Sequence, residues 1–134
     1  MSKSSHDVQS RILLTDSAAE ISAKIRAAVT DSIAGITYDP VHRPGTSNLL
    51  NILAACTGED VIKVAMRYEG KRHGHLKVDV ADAVEEFVKR PRKNFEKIRG
   101  ERAYIECIAE EGARKARERA VVTLTDVRRK VGLA

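Results

Sequence analysis

Apolar residues recur at three- and four-residue intervals along most of this chain, broken by short clusters of glycine, proline and polar residues. That period marks amphipathic helices with one face toward a core. Ser17-Ala18-Ala19-Glu20 has the form of a capping box, in which hydroxyl and carboxylate satisfy opposite backbone donors. The helix it opens carries Ile21, Ile25, Ala28 and Val29 on one stripe, with a stop expected near Thr30-Asp31-Ser32. Residues 33–46 hold Tyr38, Asp39, Pro40, Pro44 and Gly45 and read as loop. Ser47 is expected to cap a second helix bearing Leu49, Leu50, Ile52, Leu53 and Cys56, with Gly58 in the C′ position. A third helix, from about Glu59 to Glu69, presents Val61, Ile62, Ala65 and Met66 and stops at Gly70.

From about Leu76 a longer helix shows Leu76, Val80, Ala83, Val84 and Phe87 at helical spacing. Pro91 has no N–H for the ladder, so a kink or break is expected there, with helicity resuming through Phe95 and Ile98. Gly100 sets off a last helix over roughly 101–131, about 45 Å long at 1.5 Å per residue. Its apolar stripe runs through Ile105, Ile108, Ala109, Gly112, Ala116, Ala120, Leu124, Val127 and Val131, which predicts a core face opposite a basic one. A glycine in that stripe costs about 1 kcal/mol against alanine, so Gly112 predicts close approach of a neighbouring helix. The fold class that results is all-α: a bundle of about five helices, the last two long, preceded by a mobile N-terminal loop and a short extended segment at residues 11–16.

Composition agrees with one helical domain's worth of chain: 134 residues, 4% aromatic, no Trp. No apolar run approaches the roughly 20 residues of a membrane span, and the polar N-terminus is not a secretory signal. Cys56 and Cys107 are far apart and outside any C-x-x-C pair, which argues against a disulfide or a zinc site and for a reducing compartment. The net charge of +5 is uneven: lysine and arginine exceed acids in residues 71–134, while residues 1–70 are slightly acidic. A basic C-terminal half points toward an anionic partner such as RNA.

Candidate chemistry is concentrated at the two ends. Lys3 stands between Ser2 and Ser4, a set suited to a triphosphate because ammonium and hydroxyls all donate to phosphoryl oxygens. Arg114, Lys115, Arg117, Arg119, Arg128, Arg129 and Lys130 are the RNA-facing candidates, each phosphate contact adding a salt-dependent increment of affinity. Tyr104, Arg92 and Lys93 are weaker candidates for contact with bases. His42, His73 and His75 lack a further ligand at metal spacing, so metal: none; a basic connector at 71–75 is better suited to touch a phosphate or face solvent. Glu85-Glu86 and Glu110-Glu111 are sequence neighbours that cannot face each other on a helix, so a solvated face is expected. Asp31 and Asp39 fall at a helix end and a turn, where Asp serves the backbone.

Five blocks then stand in order: Met1-Ser2-Lys3-Ser4, Ile12-x-Leu14-Thr15-Asp16, Ala28-Val29-Thr30-Asp31-Ser32, Pro44-Gly45-x-Ser47-Asn48-Leu49-Leu50-Asn51-Ile52 and Tyr68-Glu69-Gly70-Lys71-x-x-Gly74. Their order and spacing resembles the C-terminal third of tryptophan–tRNA ligases (tryptophanyl-tRNA synthetases, class I), bacterial or mitochondrial in type. The resemblance implies that the chain begins inside the family's Lys-Met-Ser-Lys-Ser motif. Met1, Ser2, Lys3 and Ser4 would then be ATP-binding, with Lys3 catalytic: it would stabilise charge growing on the leaving pyrophosphate. Asp31 would be placed to brace that loop in the intact enzyme. The resemblance also implies a division into residues 1–16, a remnant of the catalytic-domain ATP loop, and 17–134, a helical anticodon/tRNA-binding domain.

The implied parent activity is ATP-dependent attachment of tryptophan to its tRNA in protein synthesis. ATP with magnesium is implied for the intact enzyme and no cofactor for these residues alone. Implied partners are tryptophan tRNA and the catalytic domain of the intact enzyme, which is a homodimer in the family; a monomer is the alternative for this piece alone. The motif's first lysine is absent, Ser5 stands where the family often has Asp, and Arg72-His73 replaces a common Gly-Tyr. The family's nucleotide-binding sheet and tryptophan pocket have no counterpart in these residues. The expectation is therefore a tRNA-binding piece inactive alone, with a start placed at the motif's internal Met as one origin. The mitochondrial matrix is favoured and the bacterial cytoplasm is the alternative. The alternative function is a stand-alone tRNA-binding or synthetase-docking module without enzyme activity.

Overall fold

The computed structural model of the protein describes residues 7–133, and the Met1–Ser4 candidates lie outside them. The described residues contain five α-helices and no strand: α1 (Ala18–Ala27), α2 (Pro44–Thr57), α3 (Val61–Met66), α4 (His73–Gly100) and α5 (Arg102–Lys130), after a single 3₁₀ turn at Val8–Ser10. The chain divides into two compact units, Met1–Arg92 and Lys93–Ala134.

In the first unit the core is built from Ile21 and Ile25 of α1, Ile36 of the loop, Leu49, Leu50 and Leu53 of α2, Val64 of α3, and Leu76, Val80 and Val84 of α4. α1, α2 and α4 contribute much of the stripe their spacing predicts, while α3 buries Val64, which lay outside its predicted stripe; the transfer of these side chains from water is the main force assembling them. Within the predicted stripes, Val29, Ile62, Met66 and Phe87 are exposed instead.

The capping box at Ser17 is present: the Glu20 N–H donates to Ser17 Oγ while the Ser17 N–H donates to Glu20. α1 stops at Ala27, earlier than the expected 30–32. The cause is Lys77 Nζ, which donates to the carbonyls of Arg26 (2.9 Å) and Ala28 (2.7 Å) and so terminates the ladder from outside. α2 starts at Pro44, not after Ser47. Proline suits the first helical position, where its missing N–H is no loss. Ser47 is buried in that first turn, and its Oγ accepts from the Asp39 N–H at 2.9 Å rather than capping. Gly58 ends α2 at φ +71°, the left-handed conformation that glycine adopts without penalty. α3 is shorter than expected because Asp60 caps it, accepting from the Ile62 and Lys63 N–H groups.

Gly45 sits where α2 meets the segment after α1, and a Cβ there would collide with the Val29 carbonyl oxygen. Gly45→Ala is therefore expected to cost about 1–3 kcal/mol, since the obstacle is backbone and cannot rotate away. Thermal melts followed by circular dichroism check this; an unchanged midpoint would show that α2 is free to shift.

α4 is helical through Pro91, so the expected break is absent. Arg92 holds the turn next to the proline: its guanidinium donates to both Glu85 oxygens (2.8 and 3.0 Å) and to the Leu14 carbonyl (3.2 Å). Glu85 is thus an ion-pair partner rather than a free surface acid, and Arg92 is occupied in packing rather than open to bases.

The second unit departs most from expectation. Every described residue of α5 is exposed, so its apolar stripe is not a core face. The reason is length: within this unit only residues 93–100 of α4 are available to cover a helix of 29 residues. Among the described residues of this unit nothing lies within 4 Å of a Cβ placed on Gly112, so the close neighbour its presence predicts is not found there. Tyr104 is about half exposed on this helix.

Candidate nucleic-acid interface

The seven cations predicted to face RNA are all exposed on α5, but they fall into two chemical groups. Arg114 pairs with Glu118 (2.6 Å), Lys115 with Glu111 (2.6 Å) and Arg129 with Asp126 (2.7 Å), each one helical turn apart. Arg117, Arg119, Arg128 and Lys130 have no acidic partner among the described residues. Exposed pairs at this spacing are worth about 0–1 kcal/mol, so they orient side chains without locking them. An anion reaching any of the other four would not have to displace a described acidic partner. Their exposure matches the sequence expectation; sorting them by ion pairing required knowing which acids share a helical face.

Sequence reasoning gave a smaller role to a second polar cluster, in the first unit. Arg43 is 4% exposed and reaches Asp31 through Nε (3.1 and 3.0 Å) and Nη2 (2.7 Å), donating also to Thr37 Oγ1 and to the carbonyls of Ile33 and Gly35. Thr46 Oγ1 donates to the other side of the same carboxylate at 2.7 Å. His73 Nε2 lies 3.0 Å from Thr46 Oγ1 and 3.3 Å from Arg43 Nη2. Thr46 has spent its single proton on Asp31, so Nε2 carries a hydrogen and donates to Thr46; two donors then face each other at Arg43, and that approach is not a hydrogen bond. Hydrogen bonds from Arg43 first, then from Thr46, hold the Asp31 carboxyl well below the usual carboxylate range.

The cluster ties together three regions that hold sequence blocks: Asp31 stands in the third block, while Thr46 and His73 stand at positions that the fourth and fifth blocks leave open. His73 is an anchored residue, neither a metal ligand nor solvent-facing. A second buried ion pair, Lys24 to Asp16 at 2.6 Å, fixes residues 13–16 to α1. Burial acts to raise the Asp16 pKa, but hydrogen bonds from Lys24 and the Leu13 N–H outweigh it and leave it lowered. Cys56 is half-buried, with burial pushing its thiol up, and Cys107 is exposed. No group of three or more His, Cys, Asp or Glu among the described residues is placed to hold a metal, and no described helix is long and apolar enough to cross a membrane.

The described residues define an all-α class of chain: one helical unit gathered around the Asp31 carboxylate, and one unit that exposes a long basic helix. Comparison with known proteins gives that class a family. Residues 1–89 match the family described as tRNA synthetases class I (W and Y), and the chain belongs to it. It is 41% identical over 132 residues to the tryptophan–tRNA ligase of Corynebacterium efficiens, covering 98% of this chain and 38% of that protein. It is 41% identical over 136 residues to the mitochondrial tryptophan–tRNA ligase of Saccharomyces cerevisiae, covering 98% of this chain and 35% of that protein. Among solved structures, the tryptophanyl-tRNA synthetase of Mycoplasma pneumoniae superposes with a TM-score of 0.70 at 26% identity, over 100% of this chain and 41% of that one. The chain is thus similar to the C-terminal part of tryptophan–tRNA ligases, and spans about two fifths of the length of the curated relatives it matches. Those relatives include bacterial and mitochondrial enzymes.

Proposed function

We propose that this chain is the tRNA-binding helical portion of a tryptophan–tRNA ligase, and that α5 carries its RNA-facing surface. The observation that supports it is the set of four cations on α5 without acidic partners among the described residues, in a chain whose relatives are tryptophan–tRNA ligases. Each cation displaces a condensed counterion when it meets a phosphate, so affinity falls steeply with salt. The division at residues 1–16 and 17–134, the ATP role of Met1, Ser2, Lys3 and Ser4, the pairing with a catalytic domain in a homodimer and the mitochondrial matrix belong to the same proposal.

The 134 residues alone are expected not to activate tryptophan. Charge-assisted hydrogen bonds are each worth about 1.5–3 kcal/mol net. Millimolar binding needs about 4.1 kcal/mol. Ordering a free segment opposes binding by about 1–2 kcal/mol per residue. Lys3 and two serines therefore do not hold ATP at millimolar concentration.

The experiment pairs two assays on the purified chain. Filter binding to tryptophan tRNA over a salt series is expected to give a linear fall of log affinity against log salt. Tryptophan-dependent exchange of pyrophosphate into ATP is expected to be at background. A flat salt response would remove the basic-helix mechanism; measurable exchange would remove the claim of inactivity.

A further inference from the structure

The connector between α3 and α4 holds a second basic feature, in the first unit. An open cleft of about 540 Å³ is lined by Lys71, Arg72, Gly74, His75, Val78 and Asp79. We propose that this cleft seats a backbone phosphate of the bound RNA; the inference rests on the RNA-binding reading above and adds a contact site separate from α5.

Three observations support it. The cations are unpaired: neither Lys71 nor Arg72 has an acidic partner among the described residues. The cleft is also held in place from several directions. Lys71 Nζ lies 4.8 Å over the ring of Tyr68, and Tyr68 is 5% exposed. The Tyr68 hydroxyl donates to Asp79 at 2.6 Å, which occupies part of the one carboxylate in the cleft. At the other side His73 donates to Thr46, and Leu76 is fully buried, so the backbone carrying Arg72 and His75 is anchored on both flanks. A site fixed before binding loses less conformational freedom when the ligand arrives. Finally, the chemistry favours an anion: two full positive charges stand against one carboxylate that already accepts a hydrogen bond from Tyr68.

The test uses the full chain with tryptophan tRNA in filter binding across a salt series. Lys71→Gln/Arg72→Gln is expected to make the log–log slope shallower by about 2 and to weaken binding about tenfold near 0.1 M salt. Arg72→Gln alone is expected to reduce the slope by about 1. Lys63→Gln/Arg90→Gln removes the same charge from two cations outside the cleft that also have no acidic partner among the described residues, and is expected to leave the slope unchanged. All four side chains are exposed, and matched melting midpoints confirm that the variants fold. A wild-type slope in the cleft variant overturns the inference while leaving the α5 reading intact. An equal drop in the control also overturns it, because charge anywhere would then suffice. Absence of salt-dependent binding by the wild-type chain overturns the RNA-binding reading itself, and the cleft with it.

Discussion

Arg43→Ala is expected to lower the melting midpoint by roughly 10–20 °C. Arg43 is a charged side chain buried to 4% exposure, and its guanidinium meets Asp31, Thr37 and the carbonyls of Ile33 and Gly35. Removing one partner of a buried pair costs about 3–5 kcal/mol, because the remaining charge and the stranded carbonyls lose their compensation. Against a total stability of about 5–15 kcal/mol that loss is large. Arg43→Lys is expected to rescue little: one ammonium cannot present a planar fork to a carboxylate and still reach the two carbonyls. A midpoint within 2 °C or so of wild type, measured by circular dichroism, would show that the loop after α1 is held by something else.

The pH dependence follows the same contact. The Asp31 pKa lies below its ordinary value of 3.8 in the folded chain, chiefly through Arg43. Its contribution is therefore complete above that value and is lost as pH falls through the lower, folded one. In Arg43→Ala the main cause of the shift is gone, so the melting midpoint below about pH 4 is expected to depend less steeply on pH than in wild type.

Much of the first unit was legible in sequence because apolar spacing and capping residues act locally. Ser17, Gly58 and the buried positions Leu76, Val80 and Val84 of α4 were read correctly for that reason, whereas Phe87 of the same stripe is exposed. What was not legible came from contacts distant in sequence. The end of α1 is set by Lys77, about fifty residues on, and the helicity through Pro91 is held by Arg92 and Glu85 with the Leu14 carbonyl. Ser47 looked like a cap by residue type, but Pro44 opened the helix earlier and turned the hydroxyl inward toward Asp39. Asp31 read as a turn residue because its partners, Arg43 and Thr46, carry no local signal. The α5 stripe misled differently. Periodicity shows that a helix has an apolar face, and says nothing of whether a partner covers it. The exposure of the α5 cations was legible because charged residues on a helix keep to its solvated side.

The quadruple variant Arg117→Gln/Arg119→Gln/Arg128→Gln/Lys130→Gln is expected to weaken tRNA binding roughly 10²–10³-fold at low salt and to make the log–log salt slope shallower by about 3–4. The estimate takes about 1 kcal/mol for each phosphate contact and assumes the contacts are independent, as well-separated surface sites usually are. The triple variant Arg114→Gln/Lys115→Gln/Arg129→Gln is the informative comparison. Each of those cations already leans on an acid at 2.6–2.7 Å. Meeting a phosphate means giving up that pair, so the gain per residue is smaller and the loss on substitution should be too. If the two sets instead lost affinity in proportion to charge alone, α5 would act as a diffuse positive field with no defined contacts. The salt slope separates these cases, because a field attracts without releasing a fixed number of ions while a contact releases about one for each phosphate it neutralises.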